Sequence, residues 1–109
     1  MYGSIMRARI KAGKKDDYVR LLQEFVPSAE DYGQGLHSLE IAFEDRDPNR
    51  VVLIIHFRDR ESYVRNADRP QTNADWERQA ALLDDVQWID VNYVNYLGRP
   101  VGGEETATA

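Results

Sequence analysis

The chain of 109 residues contains no cysteine. That absence excludes disulfides, thiolate metal sites and a cysteine nucleophile, and it fits a reducing compartment, so a cytoplasmic protein is expected. No apolar run approaches the roughly 20 residues needed to cross a bilayer, and the stretch "MYGSIMRARIKAG" holds no continuous apolar segment of the secretory type. Neither a membrane nor an export role is expected. Basic residues are the minority charge: 14 Lys and Arg stand against 19 Asp and Glu, a net charge of -5. A duplex-binding face would need the opposite balance to displace counterions from phosphates, so nucleic acid is excluded as the expected partner. The sequence also lacks a glycine-rich phosphate loop, a His-Glu-x-x-His motif and a Gly-x-Ser-x-Gly elbow. Its 2 histidines fall in separate strand patterns and make a poor metal set, so no metal site is expected.

What remains is the composition of an ordinary globular protein, 42% hydrophobic and 30% charged. The length suits one domain with one core and is too short for a sheet sandwiched between two complete helical layers. From Tyr2 to Lys11 the even positions Tyr2, Ser4, Met6, Ala8 and Ile10 alternate with Arg7, Arg9 and Lys11, a period-2 strand. Gly13 breaks it. Asp16 and Asp17 suit a helix start, and Tyr18, Leu21, Leu22 and Phe25 recur at helical spacing. After Pro27, Gly33 and Gly35, the residues His37, Leu39, Ile41 and Phe43 alternate with Ser38, Glu40 and Glu44 in a second strand. "EDRDPNR" is a hairpin turn, and Arg50 to Phe57 is the third strand.

The third strand does not alternate: Val51, Val52, Leu53, Ile54 and Ile55 offer apolar side chains to both faces of a sheet, and each face must be covered. Asp59 then stands as an N-cap before a short helix carrying Tyr63, and Pro70 opens another whose stripe is Trp76, Ala80 and Leu83. After "DDVQ", Trp88 to Leu97 reads as the fourth strand, with Ile89, Val91, Tyr93 and Leu97 alternating against Asp90 and Asn92. Residues 98–109, "GRPVGGEETATA", have too little apolar surface to offset the entropy of ordering and read as a flexible C-terminal tail on a domain of residues 1–97. The predicted fold class is α+β: a ferredoxin-like βαββαβ unit whose four-stranded antiparallel sheet carries its helices on one face. The other face of the third strand then needs a second copy of the chain, so a homodimer is expected.

The runs "VVLIIHFRDRESYVRNADRP" and "ADWERQAALLDDVQWIDVNYVNYL", with the earlier "KAGKKDDYVRLL", resemble the antibiotic biosynthesis monooxygenase-like family of dimeric α+β barrels. The resemblance spans Tyr2 to Leu97 and rests on Phe57 ending the third strand, Tyr63 on the capped helix, Leu82 and Leu83, and Trp88 entering the last strand. It implies a homodimer with sheets face to face and a ligand cleft between each subunit's sheet and helices. It further implies a cofactor-independent monooxygenase for a small aromatic, phenolic or quinol substrate, whose anion is the electron donor to molecular oxygen. Such chemistry needs a dry aromatic cleft and groups that steady an anion. His56 and Tyr63 are the expected catalytic residues, and Asn66, Trp76, Trp88 and Asn92 the expected substrate-binding ones, with Tyr93 a further wall. Members that degrade haem place a histidine ligand after the short helix, and here no histidine follows Phe57. Oxygenating members favour an asparagine and a tryptophan one turn apart on the short helix, where this chain has Ser62 and Asn66. The alternative is a binding or structural barrel without catalysis.

Overall fold

The computed structural model describes residues 1–96, 99 and 100. β1 (Tyr2–Ile10), β2 (Leu36–Phe43), β3 (Arg50–Phe57) and β4 (Leu83–Asn92) form one antiparallel sheet in the order β2-β3-β1-β4, so β1 and β3 are central. Between β1 and β2 lie α1 (Lys15–Leu22) and α2 (Ala29–Gly33); between β3 and β4 lie α3 (Arg60–Ala67) and α4 (Pro70–Ala80). A short pairing of β5 (Asn95–Tyr96) with β6 (Arg99–Pro100) follows β4. Apart from Arg99 and Pro100, the tail expected from residue 98 onward lies outside the described residues.

The register assigns each side chain to a face. Met6 sits opposite Leu53 on one side and Trp88 on the other, and Ala8 opposite Val51, so the even residues of β1 and the odd residues of β3 share the face that carries the helices. Met6, Ala8, Ile10, Val51, Leu53 and Leu83 pack there around Tyr18 of α1, which is fully buried. The Tyr18 hydroxyl donates to Gln79 Oε1 at 2.7 Å and ties α1 to α4, while burial holds its ionisation well above the usual phenol range. Tyr18→Phe removes this bond and leaves a buried carbonyl oxygen without its donor. The expected loss is about 1–2 kcal/mol in urea unfolding, read as a lower midpoint at unchanged slope.

Among the described residues no helix covers the opposite face of the sheet. Ile5 pairs with Ile54 and with Ile89, which lays a row of three isoleucines across β3, β1 and β4. Toward one end of this face the charges are matched within the chain: Arg7 grips Glu44 with two bonds of 2.8 Å, and Arg9 meets Asp47 at 3.1 Å. Near the other end lies Gly3, paired with His56.

Two elements differ from the sequence expectation. α2 sits in the stretch expected to be a connection; it buries none of its residues and is held by a capping box, with Ser28 Oγ accepting from the Asp31 N–H and the Asp31 carboxylate accepting from the Ser28 N–H. The last strand starts at Leu83 rather than Trp88, and α4 stops at Ala80. "DDVQ" resembles a loop because a bulge interrupts the pairing between Arg7 and Arg9, with Asp85 in the left-handed region at φ 52°. By contrast, Asp59 caps α3 by accepting from the Ser62 N–H, and Pro70 opens α4, as their chemistry dictates.

Candidate functional site

α3 must end before Pro70, because the residue preceding a proline is driven out of the helical region; Arg69 is extended at φ -72°, ψ 133°. The resulting bend between α3 and α4 holds the helices apart over the sheet. A cleft of about 770 Å³ lies beneath, lined also by the segment 25–28. Its floor is Leu39 of β2 with Leu53, Ile55 and Phe57 of β3. At one end Trp76 meets Trp88 edge-on, with centroids 5.1 Å apart at 70°; at the other Tyr63 stands edge-on to Phe57 at 5.6 Å. Edges and faces so arranged suit a flat aromatic guest.

The polar groups lie along the helix bend. Arg69 Nη1 donates to Asp31 Oδ1 at 2.9 Å and to Asn66 Oδ1 at 3.4 Å, so α2 is strapped to the bend across the cleft mouth. The Ser28 backbone N–H, and after it Arg69, hold the Asp31 carboxyl below its usual range. With its oxygen engaged by Arg69 and Thr72, Asn66 keeps its NH₂ as donor. Tyr63 is half-buried beside the ring of Tyr2 at 5.2 Å. Its hydroxyl donates to Asp90 Oδ1 at 3.2 Å, and the same oxygen accepts from Ser4 Oγ at 2.9 Å. Burial, above all, raises the Tyr63 ionisation.

Four of the six expected site residues line this cleft together: Tyr63, Asn66, Trp76 and Trp88. His56 does not join them. Odd residues of β3 face the helices, so His56 shares the opposite face with Ile54. There it stacks on Tyr93 at 4.7 Å and 22°, with Nε2 3.3 Å from Glu40 Oε1. Burial lowers its basicity, opposed by Glu40. Tyr93, expected as a cleft wall, covers Gly3 on this same face. Asn92 is exposed at the end of β4 opposite Tyr2, and it too is outside the cleft lining. Residues that patterning missed are Asp31 and Arg69, 38 positions apart, and Ser4 with Asp90, 86 apart. Only Asp31 had a sequence signal, the Ser28-x-x-Asp31 capping pattern.

A four-stranded antiparallel sheet with helices on one face and an aromatic cleft between the layers defines a ferredoxin-like α+β protein. The chain belongs to the antibiotic biosynthesis monooxygenase family, whose profile matches residues 1–72. Solved structures of similar fold include an antibiotic biosynthesis monooxygenase at 18% identity and TM-score 0.70, covering 86% of this chain and 99% of the other. A mutant of SnoaB, a cofactor-independent oxygenase from Streptomyces nogalater, aligns at 13% identity and TM-score 0.71 over 88% of this chain and 95% of that one. Rv0793 from Mycobacterium tuberculosis aligns at 14% identity and TM-score 0.72 over 88% and 97%. No curated protein matches the chain in sequence. Among the described residues no helix is long and apolar enough to cross a membrane.

Proposed function

We propose that this chain is a cofactor-independent monooxygenase that oxidises a small aromatic, phenolic or quinol substrate in the cleft between sheet and helices. The observation that carries this reading is the joint placement of Trp76, Trp88, Tyr63 and Asn66 around one cleft with an aliphatic floor. The aromatic edges and the aliphatic floor offer contacts to a ring system, and a bound ring displaces water from the floor, which strengthens the hydrogen bonds made beneath it. The Asn66 NH₂ is a donor for an oxygen that becomes negative once the substrate loses its proton. The anion passes an electron to O₂; recombination forms a C–O bond, and loss of water from the peroxide turns a CH₂ into C=O, with the second oxygen atom leaving in that water. His56 has no part in this scheme, since it lies on the far face of the sheet.

The working unit in this reading is a homodimer that covers the isoleucine face, leaving a cleft open in each subunit. The chemical test mixes purified protein with reduced anthrones and quinols in air and follows oxygen uptake. Wild type is expected to exceed the buffer rate, with Asn66→Ala and Tyr63→Phe each about 100-fold slower. Ligands that shift tryptophan fluorescence through Trp76 and Trp88 while oxygen uptake stays at the buffer rate would establish a binding module instead.

A further inference from the structure

Tyr63 has two surroundings. The residue lines the cleft, and its hydroxyl donates to the carboxylate of Asp90, which is not among the lining residues and is solvent-exposed on edge strand β4. A tyrosine whose hydrogen is already committed to a carboxylate retains oxygen lone pairs that can accept. The carboxylate is itself placed by a buried group. Ser4, fully buried on central strand β1, donates to the same Asp90 oxygen at 2.9 Å and lies directly opposite Asp90 in the sheet register. The exposed carboxylate is therefore hydrogen-bonded to the phenol of a residue that lines the cleft.

We infer that Asp90 is the outlet of a proton relay that runs from the cleft through the Tyr63 hydroxyl, with Ser4 fixing the carboxylate. The inference rests on the oxygenase reading of the cleft. In the relay, the substrate's acidic proton moves to Tyr63 Oη as the hydroxyl hydrogen of Tyr63 moves to Asp90 Oδ1. The electron pair stays on the substrate, which becomes the anion that O₂ oxidises; Tyr63 ends neutral, and Asp90 releases its proton to water. Asp90 touches no substrate and acts through Tyr63, so it is a positioning residue. The titratable groups around the Tyr63 hydroxyl are Asp90 from β4 and Tyr2 from β1.

Asp90→Ala is expected to lower kcat about 100-fold while KM stays within about threefold, because the cleft walls are untouched. Added formate, small enough to enter the vacated exposed site, is expected to restore much of that rate, which a purely structural role would not allow. Independently of turnover, NMR of tyrosine-labelled protein follows the Tyr63 ionisation, assigned through Tyr63→Phe. It is expected at lower pH in Asp90→Asn than in wild type, since a negative neighbour that resists phenolate formation has gone. An Asp90→Ala enzyme at wild-type kcat, or a slow one that formate leaves slow, overturns the relay. A Tyr63 titration unmoved by Asp90→Asn overturns the relay alone. A wild type that never consumes oxygen overturns the function and the relay with it.

Discussion

Gly3→Ala is expected to destabilise the fold by about 3 kcal/mol or more, although the position is near the end of the chain. Gly3 is in a central strand, paired with His56 on β3 and Val91 on β4. A Cβ there would stand 2.0 Å from the Ile55 carbonyl oxygen and 3.2 Å from Tyr93 Cε2. The first of these atoms is backbone in the neighbouring strand and cannot rotate away. β1 must move off β3, and the stack of Tyr93 on His56 moves with it. For a domain of this size the loss is a fall in Tm of roughly 15 °C. Gly13→Ala supplies the contrast: its φ of +75° is strained for alanine, yet nothing lies within 4 Å, so about 1 kcal/mol is expected. Melting curves of the two variants decide it, and equal Tm values would show that β1 frays at its start instead of anchoring the sheet.

That glycine shows where reading the sequence stops. Period-2 alternation placed β1, and an unbroken apolar run after a hairpin turn placed β3. The helix break at Pro70 and the cap at Asp59 were legible for a different reason: each depends on the backbone chemistry of one residue. β4 began five residues early because a bulge lets two charged residues, Asp84 and Asp85, sit inside a strand. α2 is too short to show a stripe and packs none of its residues into the core. The close approach of Ile55 to Gly3 is tertiary and leaves no trace in the local pattern.

The same limit explains the site. Tyr63, Asn66 and Trp76 are legible because consecutive helices on one face of a sheet bring their inner sides together. The face that His56 takes was not legible, because β3 is apolar on both faces; parity ties His56 to Ile54 but cannot say which set meets the helices. The decision comes from β1, where Met6, Ala8 and Ile10 are buried and Arg7 is exposed. Arg69 with Asp31, and Ser4 with Asp90, join elements that only the completed fold makes neighbours.

Ile5→Glu is expected to convert a dimer into a folded monomer. In the proposed assembly two copies of the helix-free face meet across a two-fold axis, and Ile5 is at its centre, between Ile54 and Ile89. Ile89 is 59% exposed within one chain, whereas Ile5 and Ile54 are already half-covered by their neighbours. A glutamate at position 5 can reach water in the isolated chain, so the monomer is expected to keep its circular dichroism and most of its Tm. In the dimer the symmetry brings two such carboxylates into one apolar patch, where each loses its hydration without gaining a partner; the pairs Arg7–Glu44 and Arg9–Asp47 are already made within the chain. A penalty of about 4 kcal/mol is modest for such burial and weakens association about 1,000-fold. Sedimentation at micromolar concentration is expected to give twice the chain mass for wild type and the single mass for Ile5→Glu. Wild type sedimenting as a monomer would leave β3 apolar toward water. A variant that still dimerises would place the contact elsewhere, and either result would remove the isoleucine row from the interface.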